Sequence, residues 1–137
     1  MVRGKSKIAA VAAWSFVLAA TVAADGQTTP RAVAAKLKNP VASSPASIAA
    51  GQGAYQKYCR FCHGATGRGD SPSAPQTMKP SNLADATWDR GSSDGEIFTV
   101  IQEGAGPEYK MKGLKGKLSE ADTWSIVNYL RTLGSAK

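Results

Sequence analysis

The sequence predicts an all-α domain of three main helices joined by long loops. Three observations carry that prediction. Apolar residues recur at helical spacing in three separate stretches. Two of these stretches open on a serine with an acidic residue three positions on, Ser93 with Glu96 and Ser119 with Asp122, the signature of a helix start. No run alternates apolar and polar residues as a half-buried strand does. At 137 residues the chain holds one domain with a modest core.

The chain opens with Arg3, Lys5 and Lys7, followed by the apolar run 8–24 with small residues at its end. A basic start, an apolar stretch and small residues before a cut read as a secretory signal peptide over residues 1–24, cleaved after Ala24. An uncleaved anchor is the alternative, because the run lies near the lower limit for spanning a bilayer. Residues 25–47 are rich in Ala, Pro, Ser, Thr and Lys and lack an apolar period, so they read as a disordered linker. Pro40 and Pro45 break any helix that Ala34 to Lys38 begins.

The domain proper is expected over 48–137. Its first helix starts at Ser47 as N-cap and runs through Ile48, Gly51, Tyr55 and Tyr58 to Cys59. Gly51 and Gly53 each weaken that helix by about 1 kcal/mol relative to alanine, a loss that makes sense where a second helix approaches closely. Gly64 to Gly69 is a loop, and Asp70 to Ser81, with three prolines, is a long irregular segment suited to wrapping a flat cofactor. Asn82 to Trp88 reads as a short helix closed by Gly91. The second main helix is capped at Ser93, carries Ile97, Phe98, Val100 and Ile101 on one face, and ends at Gly104. A glycine- and lysine-rich loop over 105–117 holds Met111. The last helix starts at Ser119, carries Trp124, Ile126, Val127, Tyr129, Leu130 and Leu133, and ends at Gly134.

The chemistry is concentrated in Cys59-Arg60-Phe61-Cys62-His63. Two thiols three positions apart, with a histidine directly after the second, match the pattern for covalent attachment of a c-type haem. On one helical turn both sulfurs face the same way and can add to the two vinyl groups on one porphyrin edge. The adjacent imidazole then presents a nitrogen to the iron. A zinc site needs four protein ligands, and the chain has 2 cysteines and 1 histidine in all. A thioredoxin-like CxxC belongs in an alternating strand–helix pattern, which is missing. His63 is the sole histidine, so two histidines cannot share the iron. Met78 and Met111 are the methionines outside the leader.

From Ile48 to Leu133 the chain resembles a class I cytochrome c. Gly51, Tyr55, Cys59, Cys62 and His63 match the family's opening motif; Pro80-Ser-Asn-Leu83 is similar to its Pro-Asn-Leu segment with one residue added; Ser93 to Phe98 and Trp124 to Leu133 are similar to small bacterial members. The resemblance implies a cytochrome c fold wrapped around one haem c bound through Cys59 and Cys62. It implies that Gly51 and Tyr55 meet Tyr129 and Leu130, and that the Pro80 carbonyl accepts the ring N–H of His63. It also implies Met111 as the second axial ligand in preference to Met78, which lies on the loop past the histidine side. Met111 is followed by Lys112 where relatives often have proline, which implies a softer ligand loop.

The function expected is that of a periplasmic electron carrier, not an enzyme, passing single electrons between protein partners such as a dehydrogenase, reductase or terminal oxidase. A dedicated electron-accepting subunit of a periplasmic dehydrogenase is one alternative, and an open-site haem that binds gas or peroxide is another. The formal charge is +7, and beyond residue 24 it falls to +4, from 14 basic against 10 acidic residues. That balance excludes nucleic acid as a partner. The chain is expected to be a monomer, with membrane contact only if the leader is retained. Trp88 and Tyr109 are candidates for the haem propionates. Lys57, Arg60, Lys79, Lys110, Lys112, Lys115 and Lys117 are candidates to ring the haem edge and steer an acidic partner.

Overall fold

The computed structural model describes residues 30–107 and 110–135. Among these residues every regular element is helical: α1 (Pro30–Ala34), α2 (Pro45–Tyr58), α3 (Arg60–His63), α4 (Asp94–Glu103) and α5 (Glu120–Ser135). Among the described residues strand-like pairing is limited to two isolated bridges, Gly104 with Lys112 and Lys115 with Leu118. The leader expected over residues 1–24 lies outside the described residues.

Helix α2 begins three residues earlier than the sequence implies. Its N-cap is Ser44, whose hydroxyl accepts from the Ser47 amide at 3.2 Å while the Ser47 hydroxyl accepts from the Ser44 amide at 3.0 Å. Pro45, read as a breaker, occupies the first helical position, where a missing N–H leaves nothing unpaired. The caps at Ser93 and Ser119 stand as expected, with Glu96 and Asp122 completing them. Gly134 lies inside α5 and does not end it. Residues 82–88 form no helix; Asn82 and Asp85 accept from the amides two residues on and turn the chain locally.

The core lies where α2 and α4 pack against α5. It contains Tyr55, Ile97, Ile101, Leu118, Trp124, Ile126, Val127, Tyr129 and Leu130. The rings of Tyr55 and Tyr129 meet at 5.3 Å in a tilted pair, and Phe98 stacks on Trp124 at 4.0 Å. The backbone of Gly51 sits against Ser125 and Ile126, so the glycine's contact is the α5 main chain and not the Tyr129 ring. Gly53 has open space around it and plays no such part.

From Pro30 onward the segment expected as a linker is folded onto this core. Ala34 is buried and its carbonyl closes on Gly95 of α4. Asn39 donates to the Trp124 carbonyl at 3.2 Å and to Asn128 Oδ1 at 2.8 Å; Asn128 in turn donates to the Val41 carbonyl and to the Ser47 hydroxyl, each at 3.1 Å. Composition misled the reading because this strap makes no core of its own. It uses the outer faces of α4 and α5, and polar side chains satisfy its backbone.

Arg31 closes the strap on α4 through a 2.9 Å ion pair with Glu96. The Ser93 hydroxyl and amide donate to the same carboxylate, and with Arg31 they draw its pKa from the usual 4.5 to about 2. A depressed carboxylate contributes stability that is complete above the unfolded value and lost as the folded group is protonated. Thermal melts should therefore show stability falling between pH 4.5 and about 2. Glu96→Gln, which keeps a cap acceptor but cannot titrate, should be less stable at neutral pH and show a smaller loss across that window.

Candidate haem site

Cys59 is at once the C-cap of α2 and the start of α3. The amides of Cys62 and His63 both bond to its carbonyl, at 3.1 and 2.9 Å, and this single turn places Cys59, Cys62 and His63 along one side. Gly64 ends the turn with φ of 79°, and the Tyr55 hydroxyl, buried in the core, donates to its carbonyl at 2.7 Å. The turn that carries Cys59, Cys62 and His63 is thereby anchored to the helix that precedes it. Both cysteines are unpaired and half-buried. Burial, with Cys62 beside it, pushes the Cys59 thiol up to about 12. A redox CxxC pair needs the opposite, a thiolate stabilised at neutral pH.

The loop after His63 doubles back over it. Gly69 donates to the His63 carbonyl at 2.9 Å, and Leu83 donates to the Gly67 carbonyl at 2.6 Å. These bonds bring residues 80–83 alongside the histidine. The His63 Nδ1 then lies 3.0 Å from the Ser81 carbonyl. A carbonyl only accepts, so Nδ1 carries the proton and Nε2 keeps its lone pair for a metal. Burial lowers the His63 pKa against the Ser81 carbonyl, which acts to raise it, so the ring favours the neutral form that ligates iron.

The acceptor is thus Ser81 and not Pro80. The Pro80 carbonyl is directed at Gly69, where a β-carbon would collide with it and only hydrogen fits. The residue added between Pro80 and Asn82 shifts the acceptor by one position, and that insertion was the signal available in the sequence.

Met111 is half-buried and packs against the core cluster; Met78 is half-buried and does not join it. Met111 lines a cavity of about 460 Å³ with Glu103, Gly106, Pro107, Lys112 and Gly113. The loop that bears Met111 has backbone support without a proline. Ala105 donates to the Met111 carbonyl at 3.1 Å, Leu114 to the Ile101 carbonyl at 2.9 Å and Lys115 to the Gln102 carbonyl at 3.1 Å, which ties Met111 and the residues that follow it to the end of α4. Lys110 donates to the Thr77 hydroxyl at 3.0 Å, so the loops bearing the two methionines are also joined.

Trp88 packs against the core. Tyr109 lies outside the described residues. Of the candidate steering cations, Lys115 pairs with Glu103 at 2.9 Å, Lys110 is held by Thr77, and Lys57 lies 5.0 Å from the Tyr58 ring centroid.

Two cysteine thiols on one turn, a neutral histidine with its far nitrogen oriented, and a half-buried methionine on a pinned loop fit a c-type haem. Residues 46–130, more than half of the chain, match the family model described as cytochrome C oxidase, cbb3-type, subunit III. The chain belongs to this family. It is an electron-carrying c-type cytochrome domain with the all-α class I fold, and haem c is the cofactor the family implies. The cytochrome is 31% identical over 97 residues to the cbb3-type cytochrome c oxidase subunit CcoP of Rhodobacter capsulatus, a match covering 67% of this chain and 31% of that protein. It therefore spans about a third of that relative's length. Its structure is similar to the Kuenenia stuttgartiensis reducing HAO-like protein complex Kustc0457/Kustc0458, with a TM-score of 0.61 and 25% identity over 72% of this chain and 48% of the other. Cytochrome cL from Hyphomicrobium denitrificans shares the fold, with a TM-score of 0.56 and 20% identity over 79% of this chain and 61% of the other.

Proposed function

We propose that this cytochrome is a periplasmic monohaem carrier. Its haem is bound covalently through Cys59 and Cys62, with His63 and Met111 as axial ligands, and it passes single electrons between protein redox partners. The haem supplies a one-electron iron couple. His63, its Nδ1–H held by Ser81, presents a fixed imidazole, and Met111 offers a soft sulfur that favours the reduced state and raises the potential. The core behind the turn and the bonds that pin the Met111 loop keep both side chains in place, which favours transfer without rearrangement. The His63–Ser81 hydrogen bond is the observation that carries this reading, because it leaves one nitrogen free and fixes its direction.

Sulfur ligation to low-spin ferric iron gives a weak near-infrared charge-transfer band. The oxidised protein should show it, Met111→Ala should abolish it and lower the midpoint potential, and Met78→Ala should leave both unchanged. A wild-type protein that is high-spin when oxidised and binds CO rapidly when reduced would sink the carrier reading.

The leader over residues 1–24 supports a place in the periplasm. Among the described residues no helix is long and apolar enough to cross a membrane. That relatives bear the names of an oxidase subunit and of a protein complex favours a second form of the same function, in which this domain works docked to a dehydrogenase or a terminal oxidase.

A further inference from the structure

Phe61 is 62% exposed, the most exposed of the large apolar side chains among the described residues, and it lies between the two haem cysteines. On a helical turn it points about 200° away from Cys59, off the side shared by Cys59, Cys62 and His63. It borders a cavity of about 560 Å³ whose wall also includes Lys57, Arg60, Asp70 and Pro72. Lys57 and Arg60 are exposed and form no ion pair among the described residues, whereas two lysines around Met111 are held by Thr77 and Glu103. Asp70 offsets one of the two charges, which leaves the wall net positive.

We infer that the partner-docking surface of this cytochrome is centred on Phe61 with Lys57 and Arg60 beside it, and that it fits a redox protein presenting acidic side chains around an apolar contact. The inference rests on the electron-carrier reading and gives it an address. An exposed aromatic anchor beside a concave wall is the form that binding hot spots take, and flanking cations add steering toward an acidic surface. The location also suits the chemistry, because the cysteines on either side of Arg60 and Phe61 are those that hold the porphyrin edge. A second copy of this chain is disfavoured as the occupant, since Lys57 and Arg60 would face their own counterparts.

The test uses the reduced holoprotein in stopped flow against two oxidants, hexacyanoferrate(III) and a small acidic blue-copper protein. Phe61→Ser should slow electron transfer to the copper protein roughly tenfold, as expected for loss of an aromatic anchor. Transfer to hexacyanoferrate should change less than twofold, which shows the haem intact, and Phe61→Leu should stay near wild type. Arg60→Glu should slow both reactions and flatten their salt dependence; Lys117→Glu, on the exposed loop beyond Met111, should have a much smaller effect. Equal effects of Arg60→Glu and Lys117→Glu, or a Phe61→Ser rate equal to wild type with the copper protein, would overturn the proposal. So would concentration-dependent dimers in sedimentation that vanish in Phe61→Ser. Failure of the wild-type protein to reduce hexacyanoferrate would overturn the carrier reading itself, and this proposal with it.

Discussion

Gly51→Ala is expected to destabilise the folded protein by about 2 kcal/mol or more, although alanine is the better helix former. A β-carbon at this position would fall on the Ser125 carbonyl and close to the Ile126 amide. Those atoms are main chain, so no rotamer change relieves the collision and α2 must move away from α5. That movement disturbs the Tyr55–Tyr129 contact and, through the Tyr55 hydroxyl bond to Gly64, the turn that carries Cys59, Cys62 and His63. Gly53 is the internal control. It lies in the same helix, and a β-carbon there would meet nothing within 4 Å beyond its own helix, so Gly53→Ala should stabilise by up to about 1 kcal/mol from helix propensity alone. Denaturant midpoints of the two holoproteins should move in opposite directions. Shifts of the same sign would remove the close α2–α5 approach from the account of this fold.

Asn128→Leu is expected to have an effect of similar size, a loss of about 3 kcal/mol, because one buried amide serves several partners. It accepts from Asn39 and donates to the Val41 carbonyl and the Ser47 hydroxyl, and leucine can do neither. The strap over residues 30–43 should then come loose from α5. Limited trypsin digestion reads this directly, since Arg31, Lys36 and Lys38 lie on the strap. Faster cleavage there in Asn128→Leu, with the haem spectrum retained, is the expected result. Asn39→Ala should show a smaller version of the same change, since it removes one partner of Asn128 and the bond to the Trp124 carbonyl. A cleavage pattern unchanged in both variants would mean that apolar packing of Val41 and Ala34 holds the strap without the amides.

The haem motif and the caps at Ser93 and Ser119 were legible in the sequence because each is a local event. Cys59, Cys62 and His63 need only one helical turn to share a side, and a serine with its partner three residues on needs no distant element. The core faces of α4 and α5 were legible for the same reason, through their apolar spacing. The start of α2 was missed because Ser44 and Ser47 both suit a cap, and Pro45 reads as a breaker until its place at the first helical position is seen.

Other features were decided by parts of the chain far apart in sequence. Which carbonyl meets His63 depends on how closely residues 80–81 approach Gly69, and that approach turns Pro80 away and Ser81 inward. Whether residues 30–47 fold depends on Asn128 and Gly95, more than fifty positions from the start of the strap. The two glycines of α2 are equivalent in propensity, and only the position of the α5 backbone makes one indispensable and leaves the other free. By itself the sequence determined that Cys59, Cys62 and His63 share one side of a helical turn, because that spacing is local. Tertiary structure decided what orients His63 and what covers the helices, because a carbonyl's direction and a strap's footing exist only once distant segments have packed.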